Sequence, residues 1–366
     1  MSRFTLSDEA RAYLAENARR NPVPAPQLTL AEARAAAVDL AWRQSAPVPV
    51  AAVRDTFAVG PAGYVPLRIH DPGPAPAAGP QGAAGTSGTD AADPAPAPAE
   101  SPLRPALLML PGGGWVTGTA EIADVAARRL AVDAGAVVVT VTYAKAPEHP
   151  FPLPLLDCVA AFAWVVAHAA ELGVDPARIG IIGDSAGGNL AAATALALRD
   201  AAEIPVPQHR AAAGADPAVP PVHRCTSTHR PAALVLLYPA TDAACDTASY
   251  RDFATDHGLT ADRMAYYWDC YTDAGSRFHP LASVGRAELH GLPPTIVVTA
   301  GCDVLRSEGE AFAAGLAASG TSCELWEYPR TVHGFFHSDG VLHDAAELLD
   351  RLGRRLPALL DDRASL

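Results

Sequence analysis

The sequence predicts an α/β protein with a mostly parallel central sheet and helices on both of its faces. Three observations predict it. Short apolar runs recur along the chain: Ala106 to Leu110, Ala136 to Tyr143, Arg178 to Ile182, Ala233 to Leu237, Thr295 to Thr299 and Cys323 to Tyr328. Amphipathic stretches such as Leu156 to Leu172 and Ser307 to Ala318 stand between them. Short β-rich runs separated by helices suit a sheet covered on both faces, and a helical crossover between runs lets successive strands lie parallel. With 49% of its 366 residues apolar, the chain can bury a large core.

Two helical segments precede the sheet, roughly Ser7 to Arg20 and Thr29 to Ser45, separated by Pro22, Pro24 and Pro26. Thr29 and Glu32 have capping-box spacing, and Leu30, Ala33, Ala37 and Leu40 can share one side. These helices either pack or gate a site, and residues 1–50 are taken as a helical cap segment before a catalytic domain of residues 51–366. From Val50 the pattern turns strand-like, with Pro66 to His70 its clearest piece. Then it breaks: Pro72 to Glu100 has 22 Pro, Gly or Ala among 29 residues and no Leu, Ile, Val or aromatic side chain. Such a segment buries too little apolar surface to offset its ordering entropy, so about 72–104 is expected to be a disordered insertion. A second Pro-rich and basic insertion, about 204–231, is likewise expected to be disordered and carries His209, His223, Cys225 and His229 with Arg210, Arg224 and Arg230. Their spacing matches no closed zinc site, and no metal is expected.

Forty acidic against 27 basic residues give a formal charge of -13, which repels nucleic-acid phosphates and anionic membranes and favours a neutral or cationic small molecule as partner. No 18-residue uncharged apolar run appears, and Asp8-Glu9 stands where a secretory signal would be hydrophobic, so a cytoplasmic protein is expected. Six scattered cysteines (158, 225, 245, 270, 302 and 323) suit reduced thiols better than a disulfide framework.

The strongest chemical signal is Arg178 to Leu190, in which a buried strand runs into Gly183-Asp184-Ser185-Ala186-Gly187 and an Ala-rich helix follows. Gly-x-Ser-x-Gly in that context is a nucleophile elbow, with Ser185 on a strained turn above the sheet. A serine hydroxyl needs a base, and the base an orienting carboxylate. His333 follows the last strand on a loop and is the chosen base, with His337 and His343 its competitors. Asp303 stands at the carboxyl end of the run Pro294 to Cys302, where parallel-sheet sites gather. Its bland alternative is a helix cap, and Asp242 is the runner-up acid. Gly112-Gly113-Gly114 ends another strand, and Gly113, Gly114 and the N–H of Ala186 are the expected oxyanion donors. No Lys-Ser or dinucleotide signature accompanies the glycines, so a phosphate loop is disfavoured and no cofactor is expected.

Together these blocks resemble the hormone-sensitive-lipase-like (bacterial type IV) carboxylesterases of the α/β-hydrolase fold. The resemblance covers about Pro66 to Leu356 apart from the insertions, and rests on Gly112 to Trp115, Tyr143 to Pro152, Gly183 to Asn189, Tyr238 to Asp242, Asp303 to Leu305 and His333 to Phe335. It implies a Ser185, Asp303 and His333 triad, and a cap made by the N-terminal helices and a second segment at about 250–275. Trp115, Tyr267, Trp268 and Phe335 are the expected pocket residues, although the aromatic run Tyr266 to Tyr271 reads equally as core packing. Pro111 departs from the family's usual histidine and implies an altered loop around an intact oxyanion hole. The expected reaction is hydrolysis of small to medium carboxylic esters. An N-acetyl amide deacetylase, a biosynthetic cyclase or lyase and a non-catalytic binding protein are the alternatives, and homodimerisation stays open.

Overall fold

In a computed structural model, which describes residues 3–23, 28–39, 41–61, 63–73, 102–205 and 222–361, the apolar runs pair into one eight-stranded sheet. The chain order is α1 Asp8–Arg20, α2 Leu30–Val38, β1 Ala52–Gly60, β2 Gly63–Asp71, β3 Arg104–Leu110, α3 Ala120–Ala134, β4 Val137–Val141, α4 Leu153–Ala167, α5 Ala169–Leu172 and β5 Val174–Asp184. It continues through α6 Ala186–Arg199, β6 Glu203–Pro205, β7 Val222–Arg224, β8 Leu234–Leu237, α7 Ala248–Asp252, α8 Ala261–Tyr271, β9 Thr295–Cys302, α9 Arg306–Ala318, β10 Cys323–Val332 and α10 His343–Asp361.

The sheet order is β1-β2-β4-β3-β5-β8-β9-β10. β1 and β2 form an antiparallel hairpin, β2 meets β4 antiparallel, and every pairing from β4 to β10 is parallel. Alternation along β3 divides the core between two faces: Ala106, Leu108 and Leu110 pack on the side of α4, α6 and α9, and Leu107 and Met109 on that of α3 and α10. Both faces are covered, so the α/β expectation holds. Among the described residues no helix is long and apolar enough to cross a membrane, and all six cysteines are free.

Several boundaries differ from expectation. The second helix ends at Val38 instead of Ser45: the chain turns and stacks Trp42 on Tyr13 of α1 with ring centroids 5.6 Å apart, a tertiary contact that periodicity does not encode. Leu156 to Leu172 is two helices, beginning at Leu153. The 72–104 insertion lies largely outside the described residues, but its last residue, Arg104, opens β3 and pairs with Asp71. Of 204–231, residues 206–221 lie outside the description. The flanks are ordered: β6 and β7 pair antiparallel, and Cys225 is fully buried.

Between β4 and α4, Lys145 Nζ lies 3.2 Å from the centre of the Tyr143 ring, enclosed and without a hydrogen-bond acceptor, although part of its side chain reaches the surface. Burial pushes the ammonium down to about 7 and the carboxyl of nearby Asp157 up to about 6. A lysine whose folded value lies below its ordinary 10.5 costs stability as pH falls from 10.5 to 7, because only the unfolded chain takes up the proton freely. Lys145→Met is therefore expected to stabilise the protein by about 2–4 kcal/mol at pH 6 and by little at pH 10. Urea unfolding at the two pH values measures this, and an equal change at both would contradict it.

Candidate active site

β5 ends at Asp184, and α6 begins at Ala186, so Ser185 alone makes the turn, with φ 55° and ψ −120°. That conformation is sparsely populated for a side-chain-bearing residue and is held from both sides. Ser185 N–H donates to Leu237 O of β8 at 2.8 Å, and its carbonyl accepts from Asn189 at 3.0 Å. Gly183 and Gly187 permit the close approach: a Cβ on Gly183 would lie 2.2 Å from Gly187 O.

β10 delivers His333, and β9 delivers Asp303. His333 Nε2 lies 2.8 Å from Ser185 Oγ, and His333 Nδ1 lies 2.7 Å from Asp303 Oδ2. The tautomer protonated at Nδ1 satisfies both contacts. Asp303 is 1% exposed, and its other oxygen accepts the Leu305 N–H at 3.1 Å, so the carboxylate fixes its own turn while orienting the ring. The Tyr238 ring meets the imidazole edge to face at 4.8 Å. The competitors are placed elsewhere. Asp242 accepts from Arg286 Nε at 2.9 Å, and His343 opens α10. His337 stands in the turn before that helix, with Nε2 3.4 Å from Asp184 Oδ1.

The glycine loop after β3 presents its amides by tying down its carbonyls. Tyr143 Oη donates to Pro111 O at 2.6 Å, while Val116 N–H, Thr117 N–H and Thr117 Oγ1 all donate to Gly113 O. The backbone φ of +116° at Gly113 and +58° at Gly114 suits glycine. Among the described residues, neither N–H of that pair meets a protein acceptor. Asp184 is the strut that sequence reading missed: its Oδ1 accepts the Gly112 N–H at 2.8 Å, joining the elbow to the loop. Burial alone would raise the Asp184 carboxyl, but His337 and the Gly112 amide hold it below the ordinary carboxylate range. The neighbouring Ser185 marked the elbow, whereas a contact made 72 residues away leaves no local signal.

Above Ser185 lies a cavity of about 350 Å³, lined by Ser185 and His333, by Tyr13 and Asn17 of α1, by residues around α2, and by Arg263 and Tyr267 of α8. Of the expected pocket residues only Tyr267 lines it. Its ring lies over Gly114, where an added Cβ would come within 2.3 Å. Trp115 and Trp268 are fully buried, and Trp115 stacks on Tyr271 with centroids 4.3 Å apart. Phe335 is equally buried, against Tyr238 and Tyr328. Trp115 and Trp268 also meet each other, with centroids 4.6 Å apart, so all three side chains sit among aromatic neighbours. The α2 wall is anchored by Arg34, which donates to Val116 O at 3.0 Å and Ala146 O at 3.3 Å and pairs with Glu148.

Residues 107–337 match a family described by the alpha/beta hydrolase fold. The chain is 36% identical over 260 residues to the carboxylesterase NlhH of Mycobacterium tuberculosis, covering 70% of this chain and 73% of that protein. It is 30% identical over 247 residues to an ethyl acetate hydrolase of Pseudomonas putida, covering 66% and 69%. Among solved structures, a hyperthermophilic esterase from the archaeon Pyrobaculum calidifontis superposes with a TM-score of 0.78 at 29% identity, covering 97% of this chain and 99% of that one.

Proposed function

The chain belongs to the alpha/beta hydrolase fold family, among its hormone-sensitive-lipase-like carboxylesterases, and from that premise we propose that it hydrolyses small to medium carboxylic esters through an acyl-enzyme on Ser185. The observation that carries the reading is the unbroken pair of contacts from Ser185 Oγ through His333 to the buried carboxylate of Asp303. His333 Nε2 takes the hydroxyl proton as Oγ bonds to the ester carbonyl carbon, and Asp303 stabilises the resulting imidazolium. The N–H groups of Gly113, Gly114 and Ala186 receive the oxyanion. As the C–O bond to the alcohol breaks, His333 returns the proton to the leaving oxygen. Water then attacks the acyl-enzyme with the same imidazole as base, releasing the acid and restoring Ser185. The N-terminal segment 1–50 and the segment at about 250–275 act as the cap that bounds the substrate, since α1, α2 and α8 all contribute to the cavity wall.

The test is a panel of 4-nitrophenyl acetate, butyrate, decanoate and palmitate, with 4-nitroacetanilide as the amide. In a cavity of about 350 Å³, acetate and butyrate are expected to be turned over fastest, with palmitate and the anilide slower by at least about tenfold. An anilide hydrolysed faster than the acetate ester would replace this reading with amide deacetylation.

A further inference from the structure

Two arginines line the cavity that holds Ser185 and His333. Arg43 lies in the turn after α2, and Arg263 in the first turn of α8. Several other guanidinium groups are matched to carboxylates, as Arg34 is to Glu148, Arg68 to Asp55 and Arg104 to Asp71. Among the described residues, these two meet no carboxylate within ion-pair distance. Arg43 Nη1 donates to Tyr13 Oη at 2.5 Å, and its Nε is buried without a partner. The Arg263 guanidinium lies 5.8 Å from the centre of the Tyr267 ring. One carboxylate, the exposed Asp39, is also part of the wall. The chain's net charge of -13 acts at long range, but this wall carries two cations to one anion.

A neutral ester filling the cavity would displace water from both guanidinium groups and return no charge-assisted hydrogen bond. A carboxylate would return one or two at each, in a fork that matches its geometry. We propose that the cavity selects esters carrying a second, free carboxylate remote from the scissile bond, recognised by Arg43 and Arg263. The inference rests on the esterase reading of Ser185. The carboxylate can enter on the acyl side, as in a half-ester of a dicarboxylic acid, or on the alcohol side, as in an ester of a hydroxy acid.

The experiment compares shape-matched pairs on the full chain: 4-nitrophenyl hydrogen glutarate against 4-nitrophenyl 5-methylhexanoate for the acyl side, and 4-acetoxybenzoate against 4-isopropylphenyl acetate for the alcohol side. Each ratio of kcat/KM is measured in the wild type and in Arg43→Met, Arg263→Met and the double variant. A ratio within one preparation cancels the amount of folded enzyme. The expected result is that one charged ester is preferred, and that each single variant lowers the charged-to-neutral ratio by about tenfold. The pair that responds identifies the side on which the carboxylate enters. Equal losses on charged and neutral esters, or a wild type that prefers the neutral member of both pairs, would overturn the inference and leave esterase activity standing. No turnover of any of the four esters would overturn both.

Discussion

Ser185→Ala is expected to lower turnover of 4-nitrophenyl butyrate by about three to six orders of magnitude while leaving the unfolding transition within about 1 kcal/mol of the parent. The substitution removes only the oxygen 2.8 Å from His333 Nε2. Alanine inherits the φ of 55° at the elbow, and the backbone bonds to Leu237 and Asn189 involve no side-chain atom. His333 keeps its bond to Asp303, and Gly113 and Gly114 remain in place, so weak catalysis from the oxyanion site and from positioning is the only activity left. Turnover and thermal unfolding measured on one preparation separate the two effects. A variant that retains a tenth of the parent rate would remove Ser185 from the reaction.

Gly187→Ala is expected to act on stability first, by about 3–5 kcal/mol or by failure to accumulate as folded protein. The added Cβ would stand 1.8 Å from Leu110 O, 2.7 Å from Leu110 C and 2.9 Å from Pro111 C. Those are backbone atoms at the end of β3 and cannot rotate aside as a flexible side chain would. Either α6 lifts from a sheet against which Ala186 to Leu198 are buried, or the glycine loop moves from the position its carbonyl bonds define. Alanine is itself a better helix former than glycine, so steric conflict must supply the entire loss. Gly135→Ala is the useful comparison: its φ is +60°, but nothing lies within 4 Å of the added carbon, and about 1–2 kcal/mol is expected from the left-handed backbone alone. Equal losses in urea unfolding would show that the close approach at Gly187 is not tight.

Much of this arrangement was legible before folding, because it depends on local periodicity. Short apolar runs separated by amphipathic stretches specify a sheet covered by helices, and Gly183-Asp184-Ser185-Ala186-Gly187 between a run and an Ala-rich helix specifies the elbow. Capping at Thr29 was readable for the same reason, as partners three residues apart are neighbours in any helix. The chain order of Ser185, Asp303 and His333 narrowed twelve histidines to a few.

Contacts between distant elements were not legible in that way. The aromatic run of α8 carries no mark that packs Trp268 on Trp115 and lays Tyr267 against Gly114, since neighbouring residues on a helix diverge and only the packing partner decides which is covered. The same holds for Asp184 bracing Gly112 and for the turn that brings Arg43 beside Tyr13.

The sequence by itself therefore determined the family and pointed to the proposed machinery: a serine on a strained turn, a histidine, an aspartate and a glycine loop at strand ends of a parallel sheet. Only the tertiary structure decided which surface surrounds Ser185 and His333. That surface is assembled from α1, α2 and α8, elements more than 200 residues apart at their extremes, and its charge depends on which arginines found carboxylates elsewhere. A side chain's type is written in the chain, but whether its charge is matched is a property of its neighbours in space.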